Sequence, residues 1–386
     1  MISVKDRIKH YIKNIVGFPL FALYRLYPIE NKVIFSNFSG KKYGDNPKYI
    51  SMALHELDPH IQIIWLKHKG YQFETPDYVK VIEWPSLKMV KELSTAKVWV
   101  DSHTKPVWIK KRKNQYYINT WHGGLGFKKV EGDVRDKLLF SQIKQSQHNS
   151  SMIDLLISNA KWLTDIYKRA FWYQGEILEC GYPKNDIFYK EHHYEQKKVK
   201  DTFSIDENIS IALYAPTFRN NNDYHFLDID FHKIIDILRK KTNKEWIVFI
   251  KLHPLMMDYS KNLKYDKQVV NVTYYDDMQE LTLASDLYIT DYSSGIFDFA
   301  LEYKPGFLYA PDYHQYIEQR GLYFDLRKLP FPFADNEHDL INNILNIDME
   351  KYKKDLESFF KEVGLIVSSH SSMDIAELIR EKIYEV

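Results

Sequence analysis

Two histidines follow strand-like runs and precede turn signals: Tyr116-Tyr117-Ile118-Asn119-Thr120-Trp121-His122-Gly123-Gly124 and Trp246-Ile247-Val248-Phe249-Ile250-Lys251-Leu252-His253-Pro254. A third run, Leu287 to Thr290, ends in Asp291-Tyr292-Ser293-Ser294-Gly295 and then turns helical. In open α/β sheets ligands bind outside the carboxyl ends of the strands, so these junctions are where chemistry would sit. An imidazole changes charge near neutral pH, and the small residues Gly123 and Gly124 would let a reactant come close to His122. Pro254 holds His253 extended, which places Lys251 and His253 on one side, able to neutralise phosphate oxygens. Ser293 and Ser294 add hydroxyls at a helix start, where unpaired amides favour an anion. Taken singly, each has a plainer reading: a structural histidine, a solvated dyad, a serine N-cap.

The elements that must hold these residues alternate. Short apolar runs at Val33–Phe35, Ile61–Leu66, Val79–Ile82, Val98–Val100, Tyr116–Trp121, Leu155–Ser158 and Ile177–Cys180 are separated by helical stretches such as Pro47–Leu57 and Ala160–Phe171. The first of these helices has Asn46 as its expected N-cap and Pro47 at its first position. The polar stretch Tyr189–Asp206 lacks apolar periodicity and reads as a linker. Alternation restarts with Ile209–Tyr214, Trp246–Lys251, Val269–Val272, Leu287–Thr290 and Phe307–Tyr309, and the chain closes in helices near 337–345, 351–362 and 373–384. Such alternation predicts α/β architecture with two doubly wound Rossmann-like domains. The expected boundaries are 1–29 for a surface segment, 30–188 and 207–365 for the domains, and 366–386 for a terminal helix.

Bulk properties narrow the function. At 386 residues two domains are expected. A hydrophobic content of 45% with 27% charged residues describes a folded chain. The 29 Tyr and 22 Phe fit filled cores better than a carbohydrate-facing surface. A net charge of +1 argues against a dedicated nucleic-acid binder. The lone Cys180 excludes an intrachain disulfide and a thiolate metal site, which fits a reducing compartment. No run reaches the roughly 18 apolar residues that span a bilayer. Val4, Ile8, Tyr11, Ile12 and Ile15 share a helical face flanked by Lys5, Lys9 and Lys13. That pattern suits either an interfacial helix on anionic headgroups or a helix packed on its own domain.

In combination the motifs are more specific. Asn119–Gly123, Gly181–Asp186, Tyr214–Arg219, Lys251–His253 and Asp291–Ser294 occur in the order of the landmarks of the CDP-glycerol glycerophosphotransferase family, the teichoic-acid primases and polymerases of Gram-positive bacteria. The chain resembles that family from about residue 30 to 345. The resemblance implies a GT-B arrangement, two domains facing a cleft, with acceptor on the N-terminal and CDP-donor on the C-terminal domain. It also implies peripheral association with the cytoplasmic membrane face through the N-terminal segment. The implied reaction moves glycerol phosphate, or a related polyol phosphate, from CDP-glycerol or CDP-ribitol to a hydroxyl of a lipid-linked or polymeric glycan, releasing CMP. Teichoic acid or capsule biosynthesis would be its setting. Where many members continue Thr-Pro-Leu-Lys, this chain reads Gly124-Leu125-Gly126-Phe127-Lys128-Lys129, beside the expected acceptor side.

On this reading His122 is the general base and His253 its catalytic partner on the leaving group. Arg219, Lys251, Ser293 and Ser294 would bind the donor diphosphate. Asp298 would reach the ribose, while Asn185 and Asp186 would shape the cleft or simply form a turn and cap a helix. No carboxylate cluster with metal spacing is evident, so no metal cofactor is expected and Mg²⁺ would be at most stimulatory. Rival readings are a GT-B glycosyltransferase using a nucleotide sugar and a catalytically inactive membrane-associated scaffold.

Overall fold

A computed structural model describes residues 19–190, 193–219, 224–253, 256–261 and 263–385. The chain divides into two compact units. The first comprises the described residues of Met1–Gly124, Val130–Asp186 and Leu365–Val386; the second comprises those of Leu125–Lys129 and Ile187–Gly364.

In the first unit, strands β1 (Glu30–Ser36), β2 (Gln62–His68), β3 (Val79–Trp84), β4 (Ala96–Asp101), β5 (Tyr116–Asn119), β6 (Leu155–Ser158) and β7 (Glu176–Glu179) form one sheet in the order β3-β2-β1-β4-β5-β6-β7. Its pairings are parallel. Central strands such as β6 are buried along their whole length, because helices cover both faces of a parallel sheet. The edge strand β3 instead mixes buried residues with the exposed Lys80 and Glu83. The order reverses between β1 and β4, and there Ser36, Asp101 and Asn119 end in register.

In the second unit, β8 (Ser210–Tyr214), β9 (Trp246–Ile250), β10 (Val269–Asn271), β11 (Leu287–Thr290), β12 (Gly306–Tyr309) and β13 (Phe333–Ala334) form a parallel sheet ordered β10-β9-β8-β11-β12-β13. Its switch point lies between β8 and β11. Both sheets are therefore doubly wound, as the alternation predicts.

Several boundaries differ from expectation. The stretch read as a linker contains the helix His193–Thr202, which belongs to the second unit and pairs Lys198 with Glu280 at 2.8 Å. Its polar face hid the helix because Val199 is the residue it buries. The terminal helix Ser371–Tyr384 is part of the first unit, packed on Asp45–Leu57. Residues Leu125–Lys129 belong to the second unit, where Leu125 and Phe127 are buried and the Phe127 ring lies 4.9 Å from that of Phe297. The departure after Gly124 thus supplies an apolar anchor in that unit. Asn46 is not an N-cap; the helix begins at Asp45, and Asn46 Oδ1 accepts the Lys184 amide at 3.1 Å. β13, two residues long, carries no sequence pattern to find.

The amphipathic face over Val4–Ile15 lies outside the described residues. Residues 19–24 are helical, with Phe21 buried against Trp108 at 6.3 Å and Leu23 and Leu26 exposed at 57% and 82%. No helix of the described residues is long and apolar enough to cross a membrane.

Candidate active site

At the β1/β4 switch point the histidine of the Trp-His-Gly block is held from behind. His122 Nδ1 lies 2.9 Å from the Ser102 carbonyl. A carbonyl only accepts, so Nδ1 carries the proton and Nε2 of the neutral ring is left as the basic nitrogen. Asn119 secures the approach: its Oδ1 accepts the Trp121 amide at 2.9 Å, and its Nδ2 donates to the His103 carbonyl and the Tyr117 hydroxyl. Trp121 sits in the left-handed region at φ 51°, a conformation that a bulky residue adopts only under constraint. The His122 ring packs between Phe38 at 4.9 Å, Trp121 at 4.3 Å and His103 at 5.4 Å.

The two glycines after His122 play different parts. A side chain at Gly124 would meet Asn159 at 3.0 Å and Tyr182 at 3.1 Å, so protein fills that side. At Gly123 the nearest atom would be Trp121 Nε1 at 3.8 Å, which is ordinary contact. Space beside His122 is therefore on the Gly123 side.

The Gly181–Asp186 block supports this loop from below. A Cβ on Gly181 would lie 2.5 Å from Ser371 Oγ, so only glycine permits that approach. The Tyr182 hydroxyl reaches the Tyr167 hydroxyl at 3.0 Å and the Gly123 carbonyl at 3.4 Å. Asp186 is buried, and its carboxylate accepts the amides of Ser371 and Ser372 at 3.1 and 2.7 Å and the Ser372 hydroxyl at 2.5 Å. It caps the terminal helix. Asn185 is buried within the turn, its amide bonded to the Tyr182 carbonyl. Of the two readings open for Asn185 and Asp186, turn and cap is the one the geometry supports.

In the second unit the expected donor-binding residues separate into two groups. Arg219 is buried and forks between carboxylates: Nε to Asp312 at 2.6 Å and Nη2 to Asp291 at 2.7 Å. Its Nη1 donates to the Thr217 carbonyl and hydroxyl, each at 2.7 Å. The rings of Phe226, Tyr292 and Tyr316 box the guanidinium at 4.6 to 5.0 Å. Burial opposes its charge, yet Asp291 and Asp312 more than offset that, and its pKa is raised. Such geometry clamps the loops after β8 and β11 together. Lys251, expected to face the same side as His253, is buried and donates to the carbonyls of Thr273 and Tyr275, tying β9 to the loop after β10. Two residues on, His253 is exposed beside the Phe218 ring at 5.9 Å.

Ser293 and Ser294 are half-buried at the start of the helix Gly295–Phe299. Ser293 Oγ accepts the Gly295 amide at 3.3 Å, whereas the Ser294 side chain makes no capping bond. Asp298 is buried one turn on, with Oδ2 accepting from Gln279 at 3.1 Å. Among the described residues no group of three His, Cys, Asp or Glu side chains could hold a metal ion.

Sequence reasoning missed His103 and Asp312. Asp101-Ser102-His103 also follows a strand, so the rule that found His122 and His253 could have found it. Nothing local marks Asp312, whose role comes from a partner far along the chain.

The family model for CDP-glycerol:poly(glycerophosphate) glycerophosphotransferase matches residues 20–380. The chain belongs to this family. It is 31% identical over 374 residues to a teichoic acid poly(glycerol phosphate) polymerase of Bacillus spizizenii, covering 93% of this chain and 94% of that one. It is 30% identical over 391 residues to a teichoic acid glycerol-phosphate transferase of Staphylococcus aureus, covering 96% and 99%. A solved structure of the wall teichoic acid polymerase TagF superimposes with a TM-score of 0.84 at 27% identity, over 99% of this chain and 97% of that one. TagF has also been solved as a histidine-to-asparagine variant soaked with CDPG. The chain is thus a glycerophosphotransferase-family enzyme on the TagF fold, as the five ordered motifs imply.

Proposed function

We propose that this enzyme transfers glycerol phosphate from CDP-glycerol to a hydroxyl of a lipid-linked or polymeric teichoic-acid acceptor, releasing CMP. The observation that carries the chemistry is the His122 tautomer, fixed by the Ser102 carbonyl with Nε2 basic. In the proposed step His122 Nε2 takes the acceptor proton as the acceptor oxygen bonds to the phosphorus bearing glycerol. The bond from that phosphorus to the CMP oxygen breaks, and its electron pair leaves with CMP. Positioning and charge stabilisation do most of such work. Ser293, Ser294 and His253 hold the diphosphate and the leaving charge, while Arg219 and Lys251 keep their loops in place. The glycerol donor is favoured over ribitol because the family description and both relatives named above specify glycerol phosphate.

Purified enzyme should release CMP from CDP-glycerol, faster than from CDP-ribitol, with a lipid-linked acceptor and EDTA present. No turnover of either donor would overturn the reading, and turnover abolished by EDTA would overturn its metal-free form.

We also propose that the enzyme works at the cytoplasmic membrane face, held by the Val4–Ile15 face and its lysines. Deleting residues 1–18 should release the protein from anionic vesicles, and high salt should weaken binding of the whole chain. The deletion must stop before Phe21, which the first unit buries. An intact chain that never sediments with such vesicles would refute this.

A further inference from the structure

His103 is a second imidazole at the switch point, stacked on His122 with ring centroids 5.4 Å apart and planes 24° apart. Its tautomer is fixed the opposite way. His103 Nδ1 accepts the Thr104 amide at 2.7 Å, and an amide can only donate. The Thr104 hydroxyl lies 3.2 Å from the same nitrogen and itself accepts from Gln145 at 3.1 Å, which leaves its own proton for His103. Nδ1 is therefore bare, and the proton of the neutral ring is on Nε2.

The surroundings hold that state. Burial pushes the ring toward neutrality, the Asp101 carboxylate opposes this, and the Lys41 charge reinforces it. Asp101 is already engaged, with Oδ1 on the His103 amide at 2.9 Å and Oδ2 on buried Lys105 at 2.6 Å. Protonating His103 at Nδ1 would also displace the Thr104 amide. Among the described residues nothing bonds to His103 Nε2–H.

Two neighbouring imidazoles thus present opposite Nε2 groups, one accepting and one donating. We propose that His103 is an acceptor-specificity residue, its Nε2–H donating to the oxygen adjacent to the hydroxyl that His122 deprotonates. The ligand class is a vicinal diol, such as the terminus of a polyol chain. Neighbouring diol oxygens lie about 2.8 Å apart, and with hydrogen bonds of about 2.8 Å one diol can engage two imidazoles whose centroids are 5.4 Å apart. A monohydroxy acceptor would leave that donor unpaired once the acceptor covers it from water, which an enzyme site penalises. This inference rests on the proposed transfer reaction.

The test compares a glycerol-phosphate-terminated acceptor with its analogue lacking the adjacent hydroxyl, at saturating CDP-glycerol. Wild-type kcat/KM should fall about 10-fold on the deoxy acceptor. His103→Phe, which keeps an aromatic ring and removes the donor, should fall by the same factor on the diol. It should show little further loss on the deoxy analogue, and its CDP-glycerol KM should be unchanged. His103→Gln, whose amide returns a donor near Nε2, should recover much of the discrimination. Equal wild-type rates on both acceptors, or equal losses on both in His103→Phe, would overturn the proposal. Equal wild-type rates overturn it even if a variant does not fold. Absence of CDP-glycerol turnover in wild type would instead refute the transfer reaction itself.

Discussion

Alanine at His122 should lower turnover by about 10²- to 10⁴-fold, the usual worth of a positioned general base. Donor affinity should hardly change, because the residues proposed to hold the diphosphate belong to the other unit. The Ser102 carbonyl gives this prediction a second readout. It fixes the proton on Nδ1, so the reactive form is the neutral ring with a basic Nε2. Wild-type kcat/KM should therefore fall as pH drops and His122 gains its second proton, and His122→Ala should lose that acid limb along with the rate. Single-turnover measurements across pH, paired with calorimetric titration of CDP-glycerol, separate the two effects. Turnover within a few-fold of wild type, or an acid limb unchanged in the variant, would remove His122 from the base role.

What the sequence made legible was placement more than partnership. Apolar β-rich runs marked β6 and β11 to the residue, because strands buried on both faces leave continuous hydrophobic segments. The rule that ligands sit beyond strand carboxyl ends brought His122, His253, Ser293 and Ser294 to the loops where chemistry belongs. The same rule, applied once more to β4, would have reached His103. Partners were out of reach. Arg219 and Lys251 look like phosphate ligands by type and spacing, yet Asp312 and the Thr273 carbonyl engage them from distant segments. Asp186 was ambiguous for the same reason, since the helix it caps begins at Ser371. Alternation along a strand also misled: Lys251 and His253 are two apart, but regular extended geometry ends with β9 at Ile250, so their shared facing was not preserved.

The reassignment of Arg219 carries the other large effect, on stability rather than on binding. Arg219→Met keeps most of the side-chain volume but leaves Asp291, whose side chain is 1% exposed, buried without its cation. Breaking a buried pair from one side costs about 3 to 5 kcal/mol, since the remaining charge has lost its compensation. The aromatic box of Phe226, Tyr292 and Tyr316 would lose its cation as well. Urea denaturation should register the loss, and amide exchange should quicken in β8 and β11, the strands whose loops Arg219 joins. Adding Asp291→Asn should restore part of the stability by removing the orphaned charge, although the arginine is still absent. Ser294→Ala is the opposite case. Its side chain caps nothing, so stability should hold while CDP-glycerol binding weakens by roughly 1.5 to 3 kcal/mol, the worth of a hydrogen bond to a charged group. If Arg219→Met kept full stability and weakened only donor binding, the guanidinium would be a diphosphate ligand after all, and the clamp would be wrong.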